Sequence, residues 1–160
     1  MTMHTVSSVS ISKPVHEVFQ YLDDPNNQEH WQPNLREVHP SGHGLGATVR
    51  EVRSTTGFRI EYELTVTEYV PDSKITWSGR SATHQGGGVV SRSIELNQRG
   101  NNTIVTYEVA VDAPQLEHDP GKVEAQRKVQ REVDKSLLDL KDMLESGGAF
   151  KAAQAHLPRL

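Results

Sequence analysis

Polar side chains that share strand faces with apolar residues are the first places to look for chemistry. Arg92 has the same parity as Val90, Ile94 and Leu96, so on an unbroken strand its guanidinium group points inward. A guanidinium group inside a cavity could bind a ketone oxygen or stabilise an enolate, as an electrophile does in a cyclisation. Two alternatives stay open: the glycines at 86–88 introduce a β-bulge, or Arg92 extends to the sheet end and stays hydrated.

Two tyrosines and one charged pair are the other polar candidates. Tyr62 and Tyr107 stand in line with aliphatic residues on their strands, and their hydroxyl groups could orient a ligand or donate a proton. The alternative is that each buried tyrosine only hydrogen-bonds to nearby backbone. Glu51 and Arg53 share one face of a strand whose orientation the pattern does not decide. They form either a solvated ion pair or a polar patch inside a cavity.

Metal and cofactor chemistry find little support in the sequence. There is no cysteine, which excludes thiolate metal sites and a cysteine nucleophile. His39 and His43 flank a Pro-Ser-Gly turn, and for these two histidines we predict an exposed loop pair and no metal site. The glycine-rich loop 42–46 precedes a strand instead of opening a helix, which is not the context of a dinucleotide-binding motif. We expect no cofactor.

Length and charge limit the classes of partner. The chain has 160 residues, with 17 Lys and Arg against 21 Asp and Glu, and a formal net charge of −4. This predicts one domain over 1–146 with a tail at 147–160, and no nucleic-acid partner, because no basic stripe is present. No apolar stretch is long enough to cross a bilayer and no signal peptide is recognisable. We therefore expect no membrane insertion, a cytoplasmic location, and a monomer or homodimer.

The apolar pattern predicts mostly strands, with helices near the two ends. Helical spacing predicts a short helix over 14–22 and a second short one over 28–31, both after the first strand. Short turns between the strands that follow favour an antiparallel meander. The predicted strands lie at about 5–11, 35–38, 47–54, 58–66, 75–77, 90–96 and 103–111.

A long amphipathic helix is predicted over 120–145, with Asp119 as its N-cap and the glycines 147–148 as its stop. The second half of its apolar stripe is rich in leucine and should seal against the sheet. The first half contains Gln126 and Gln130, which we place over a cavity or its mouth; ordinary amphipathic variation is the alternative. A sheet curled around this helix leaves room for a ligand. We predict that the cavity is lined by Trp77, Phe58, Ile60, Val90, Ile94, Gln126, Gln130 and Val133.

Several motifs together resemble the START/Bet v 1-like superfamily, and more specifically its polyketide cyclase/dehydrase group. The first motif is the strand, Pro14, Glu17 and aromatic-containing helix within residues 9–22. The others are Asp24-Pro25, Trp31-Gln32-Pro33, the Gly-x-Gly at 44–46 and the sequence Glu-Tyr-Val-Pro at 68–71. The resemblance spans about 3–146. It implies an α+β helix-grip fold, in which a curved antiparallel sheet of about seven strands wraps around the long C-terminal helix.

The resemblance and the expected cavity together lead to one main functional hypothesis. The protein is expected to bind a bulky hydrophobic small molecule, polyketide-like or lipid-like. If it also promotes cyclisation, aromatisation or dehydration, then Arg92, Tyr62 and Tyr107 are the polar contacts, and confinement of the substrate supplies much of the effect. One alternative is a non-catalytic carrier or sensor. The other is a protein-interaction module of the chaperone-activator type, which predicts a filled core.

Overall fold

A computed structural model describes residues 2–55, 58–82, 88–112 and 120–146. The predicted strands and helices are present in the predicted order. They are β1 (Thr2–Ile11), α1 (Val15–Asp23), a 3-10 turn (Pro25–Asn27), α2 (Gln28–Trp31), β2 (Leu35–Ser41), β3 (Thr48–Thr55), β4 (Phe58–Val70), β5 (Lys74–Ser81), β6 (Val89–Arg99), β7 (Asn102–Asp112) and α3 (Lys122–Glu145).

The seven strands form one antiparallel sheet in the order β1-β7-β6-β5-β4-β3-β2. Strands β2 to β7 are a simple meander, and β1 pairs with β7 at the far end, with Val9 opposite Val105. The short helices follow β1, and α3 follows β7, as the sequence predicted. This confirms the helix-grip α+β fold.

Every second residue of a strand points to the concave face of the sheet, and these side chains pack against the short helices to form the core. Helix α1 buries Val18, Phe19 and Leu22, which recur at helical spacing. Trp31 at the end of α2 is completely buried and meets Tyr107 of β7 edge to face, with ring centroids 5.7 Å apart. The short helices therefore cover the concave face of the sheet, and the polar side chains of the strands point to this same face.

Helix α3 begins at Lys122, with Gly121 at the N-cap position, two residues later than predicted. The predicted cap, Asp119, lies outside the described residues. Pro120 and Gly121 form a turn before the helix, and no side chain caps it. The helix packs mainly along β1 and also touches α2 and β7.

The two halves of α3 are packed differently. In the second half Leu137 and Leu140 are buried, which confirms the prediction that the leucine-rich half of the helix packs against the sheet. The end of this half is also tied to β1: Lys141 Nζ donates to the Ser10 carbonyl at 2.6 Å, and a Glu145 carboxylate oxygen accepts from the Ser12 backbone N–H at 3.0 Å. In the first half, by contrast, Val123 is half exposed and Gln126 is exposed.

The register of α3 can be tested with two leucines two positions apart. Leu140 is fully buried, whereas Leu138 is 62% exposed. We expect Leu140→Ala to lower the free energy of unfolding by about 3 kcal/mol, because it leaves a cavity in the core. Leu138→Ala should change it by less than about 0.5 kcal/mol. Urea denaturation of both variants measures the difference, and equal effects would contradict this packing of the helix.

Candidate functional site

Two strands bring a buried group of three charged side chains together on the concave face. Glu51 and Arg53 come from β3, and Arg92 comes from β6. Their exposed fractions are 1%, 7% and 7% respectively. Arg92 Nη1 donates to both carboxylate oxygens of Glu51, at 3.0 Å to Oε2, and Arg53 Nη2 donates to the same Oε2 at 2.9 Å. Two guanidinium groups thus share one carboxylate; we call these three residues the buried ion cluster.

The structure decides two questions that the sequence left open. Strand β6 keeps a continuous register with both neighbours from Val89 onward, so no bulge intervenes before Arg92, which points inward. Glu51 and Arg53 are not a solvated pair, because both are buried inside the sheet's concave face. Residues 83–87, which include two of the three glycines, lie outside the described part of the chain.

Polar side chains from the segment that follows the 3-10 turn surround Arg53. Gln32 Oε1 accepts from Arg53 Nη2 at 2.6 Å, and Asn34 Oδ1 accepts from Nη1 at 3.0 Å. Asn34 Nδ2 in turn donates to Glu132 of α3 at 3.2 Å, and Gln28 Oε1 lies 3.5 Å from Gln32 Nε2. Sequence reasoning missed these amides. The only available signal was the spacing of Gln28 and Gln32, which places them one helical turn apart.

All three groups of the buried ion cluster are charged at neutral pH. Burial by itself raises the pKa of Glu51, but Arg53 and Arg92 outweigh it and lower the pKa to about 2. Burial by itself lowers the pKa of Arg92, but the adjacent Glu51 carboxylate reverses this and the net pKa is raised. An arginine guanidinium stays protonated in proteins, so the cluster carries one net positive charge.

The two tyrosines predicted to make polar contacts lie beside this cluster. The guanidinium carbon of Arg92 is 5.3 Å from the centre of the Tyr62 ring, a cation–π arrangement. Tyr107 is buried against Trp31, and burial raises the pKa of its phenol even though both arginines oppose the shift. The Tyr107 hydroxyl therefore stays protonated at neutral pH and can donate a proton in a hydrogen bond, but it cannot serve as a base.

Two neighbouring hollows lie beside each other on the concave side of the sheet, and the inner one reaches this cluster. The outer hollow lies between the 3-10 turn, the β2–β3 loop and strands β3 to β5, and Val66, Ile75 and Trp77 are among its apolar walls. The inner hollow is bordered by Glu51, Arg92, Tyr107, Leu64 and Ile94. The amides of Gln28 in α2 and of Gln32 directly after it also border this hollow. Gln28, Val49 and Trp77 border both hollows, so these side chains form the partition between them.

The hollows are small compared with the cavity that the sequence led us to expect. The outer one offers about 30 Å³ and the inner one about 10 Å³ to the centres of water-sized spheres. By this measure they hold roughly two water molecules and one, respectively. A bulky ligand therefore fits only after side chains have moved, and the shared side chains of the partition are the ones that must move first.

A hydrogen-bonded bridge crosses the rim of the outer hollow. Asp23 Oδ2, at the end of α1, accepts from the Tyr69 hydroxyl of β4 at 2.9 Å and lies 2.9 Å from His43 Nε2 of the β2–β3 loop. Burial, followed by the bond to Asp23, raises the pKa of Tyr69 to about 12, so this phenol keeps its proton at physiological pH. Gly42 and Gly44 flank His43 with φ of 84° and 77°, a conformation that favours glycine. The sequence had suggested only an exposed loop here.

The other predicted lining residues are more scattered. Of these, Trp77 and Ile94 border the inner hollow, whereas Val90 and Val133 are buried in the core without bordering either hollow. Ile60 is half-buried away from both hollows, and the side chain of Phe58 lies outside the described part.

The two glutamines of α3 also lie away from the hollows. Gln126 is exposed, and Gln130 Nε2 donates to the Val6 carbonyl at 3.3 Å and to Asp134 at 3.0 Å. Neither hollow is bordered by a residue of α3. The polar half of the helix therefore faces solvent and β1 and does not cover these hollows.

The histidines are distributed singly around the described surface. His39 Nε2 lies 3.2 Å from Glu37, and His43 is part of the rim bridge. Within the described ranges, no group of three or more His, Cys, Asp or Glu side chains is arranged to hold a metal ion. The described helices include none with the length and apolar content that a membrane crossing requires.

The sequence matches the model of one protein family over almost its whole described length. The match covers residues 2–145, and the family is described as polyketide cyclase / dehydrase and lipid transport. The chain belongs to this family. The predicted membership of the START/Bet v 1-like superfamily is thereby confirmed, together with its polyketide cyclase/dehydrase group. No protein with a curated description matches the sequence.

Solved structures show the same fold at low sequence identity. TTHA0849 from Thermus thermophilus is 12% identical, with a TM-score of 0.75 over 90% of this chain and 98% of that one. Ara h 8.0201 is 10% identical, with a TM-score of 0.68 over 91% and 99%. DynU16, from the dynemicin biosynthetic locus, is 18% identical, with a TM-score of 0.66 over 91% of this chain and 48% of that one. At these identities the likeness concerns the fold alone.

Proposed function

We propose that this protein binds a bulky hydrophobic small molecule, polyketide-like or lipid-like, between the sheet and the short helices. The observation that carries the proposal is the pair of neighbouring hollows: the outer one has apolar walls beneath a polar rim, and the inner one is bordered by buried charged and polar groups. An apolar site with a few convergent polar groups is the usual form of a small-molecule site. The family description, which names polyketide cyclases and lipid transport, supports the same class of ligand.

A buried ion cluster adds little to the stability of a core, so the presence of this one favours a role in binding. Replacing such a cluster by apolar residues of similar volume is often neutral or stabilising. Here it lies at the inner end of the hollows, where Arg92 can present N–H donors to an oxygen of the ligand. In this proposal the outer hollow holds part of the apolar body, and Trp77 turns aside to join the two spaces.

If the bound molecule also reacts, the geometry favours confinement and electrostatic stabilisation over proton abstraction. With a pKa of about 2, Glu51 is a weak base, and the protonated Tyr107 phenol cannot abstract a proton. Arg92, Tyr62 and Tyr107 would then stabilise an enolate oxygen while the closed interior folds the chain for cyclisation. Because none of the described side chains at the inner hollow is a suitable base, a non-catalytic carrier, which releases its ligand unchanged, is the second candidate.

Each tryptophan reports a different part of the interior, which gives a direct binding test. Trp77 borders both hollows, whereas Trp31 is packed in the core against Tyr107. We expect flat polycyclic and long-chain ligands to change the fluorescence of Trp31→Phe, which keeps Trp77, more than that of Trp77→Phe. Native mass spectrometry of freshly purified protein should show a co-purified organic mass. Circular dichroism confirms that both variants are folded.

Three outcomes separate the candidates. Binding together with a changed product supports the cyclase or dehydratase alternative, and binding without any product supports the carrier. If no ligand changes either fluorescence and no organic mass co-purifies, the ligand proposal is wrong. The interaction-module alternative, which needs no uptake, would then be the one to pursue.

A further inference from the structure

We propose that the natural ligand is a hydrophobic carboxylic acid, bound as its carboxylate with the head in the inner hollow. This inference rests on the proposed function, because it assumes that the hollows take up a ligand. It adds the charge and the hydrogen-bonding character of the ligand's polar end. Three properties of the buried ion cluster and its surroundings lead to it.

The first property is the charge balance at the inner hollow. Among the described residues that border it, Glu51 is the sole carboxylate, and it faces the guanidinium groups of both Arg92 and Arg53. Glu132 accepts from Asn34 and is close enough to contribute to the raised pKa of Tyr107, but it does not border the hollow. The three residues of the buried ion cluster carry one net positive charge, and Arg92 is the cation among them that borders the hollow. A ligand carboxylate at Arg92 would balance that charge at the hollow itself, which Glu132, on the far side of Asn34, does not do.

The second property is the surplus of hydrogen-bond donors. The Glu51 oxygens already accept from both arginines, and Gln32 Oε1 accepts from Arg53. Gln28 Oε1 faces the Gln32 amide. A guanidinium group, by contrast, has five N–H donors and no acceptor. Arg53 Nε is buried without a partner in the described part of the chain. A ligand group that only accepts hydrogen bonds fits this environment better than a hydroxyl group.

The third property is the contrast between the two hollows. The outer hollow has apolar walls of Val66, Ile75 and Trp77 below its polar rim, so these walls favour an apolar body for the rest of the molecule. The inner hollow has room for about one water-sized group in its present form. One compact anionic head on an apolar body matches this arrangement, whereas a sugar or a multiply charged ligand does not. Charge-assisted bonds between guanidinium and carboxylate groups are about twice as strong as neutral ones.

The test compares ligands that share a body and differ only in the head. Calorimetric titration at pH 7 uses dodecanoate against dodecan-1-ol, and anthracene-2-carboxylate against anthracene-2-carboxamide. We expect the wild-type protein to bind each acid at least about tenfold more tightly than its neutral partner, equivalent to about 1.4 kcal/mol. Arg92→Met should remove this preference. Arg50→Met is the matched control, because Arg50 is an exposed arginine of β3 on the opposite face from Glu51, and it should keep the preference.

A second variant keeps the test decisive if Arg92→Met does not fold. The triple variant Glu51→Leu/Arg53→Met/Arg92→Met removes all three charges of the buried ion cluster and leaves apolar side chains of similar volume, a replacement that buried ion clusters often tolerate. It too should bind acid and neutral ligand equally. Equal affinity in the wild type, or a preference that persists in both variants, overturns the carboxylate inference and leaves the proposed function standing. If neither member of any ligand pair binds, the proposed function itself is wrong.

Discussion

Replacing Glu51 with glutamine is expected to lower the free energy of unfolding at pH 7 by about 3–5 kcal/mol. The substitution keeps the shape of the side chain but leaves the buried guanidinium groups of Arg53 and Arg92 without a counter-charge. Removing one partner of a buried ion pair is costly for this reason, even where the intact pair adds little. Urea denaturation, followed by circular dichroism, measures the change.

The effect of this substitution should depend on pH in a defined direction. The pKa of Glu51 is about 2 in the folded protein, compared with an ordinary value of 4.5. A lowered pKa stabilises the fold above the ordinary value, and this contribution is lost as the pH falls from about 4.5 toward 2. The difference in stability between wild type and Glu51→Gln should therefore shrink over that window. A difference that stays constant down to pH 2 would contradict the assignment to this carboxylate.

Glu61 provides the matched control on the neighbouring strand. It lies opposite Val52 in the β3–β4 pairing, and its side chain is 33% exposed beside Arg50 and Arg59, at 3.7 and 3.6 Å. Exposed ion pairs of this kind contribute little. Glu61→Gln should therefore lower the free energy of unfolding by less than about 1 kcal/mol. A loss as large as that of Glu51→Gln would mean that burial is not the cause.

Replacing Gly79 with alanine is expected to prevent stable folding. A Cβ atom at this position of β5 would lie 1.8 Å from the Glu63 carbonyl oxygen and 2.8 Å from Leu64 Cα, both in the backbone of β4. Backbone atoms inside a sheet cannot shift without parting the two strands, so the whole β4–β5 pairing must loosen. We expect loss of the cooperative unfolding transition, or a decrease of more than about 4 kcal/mol in the free energy of unfolding.

Gly46→Ala is the control for this substitution. Gly46 has a φ of 83°, but no atom lies within 4 Å of the added Cβ. The cost should then be only that of an unfavourable backbone conformation, about 1 kcal/mol. Thermal unfolding of the two variants separates the steric effect from the conformational one. A stably folded Gly79→Ala protein would show that β4 and β5 are not as close as described.

Much of the fold could be predicted because its signals are local. Period-two alternation in β4 and β7, short turns, and the leucine half of α3 each specify an element and the face that it buries. The start of α3 was misplaced by two residues, because a proline at 120 suits the first turn of a helix but equally suits the turn before it.

The candidate site was harder to predict. It depends on which face of each strand a residue occupies and on contacts between residues that are far apart in the sequence. Arg92 follows a clear apolar row, so its inward direction was one of the interpretations that the pattern offered. Strand β3 was ambiguous, because Val49 and Val52 have opposite parity and both are buried. The apolar pattern alone therefore could not decide on which side Glu51 lies.

The rim bridge had no sequence signal at all. Asp23, His43 and Tyr69 come from a helix end, a loop and a strand, and only the folded chain brings them together. The glutamines of α3 show the converse problem. Helical periodicity places Gln126 and Gln130 on the same stripe of α3. It does not reveal that the helix lies along β1, so that these two glutamines are away from the hollows.

Helix α3 is attached to the rest of the protein more firmly at its C-terminal end than at its N-terminal end. Its last turns are hydrogen-bonded to β1 and the residue after it through Lys141 and Glu145, and they carry the buried leucines. In its first turns, by contrast, Val123 and Gln126 are exposed to water. The first turns of the helix therefore have fewer contacts to lose than the last turns, and we expect local unwinding to begin at Lys122. The molecule can loosen one end of its longest helix without exposing its core.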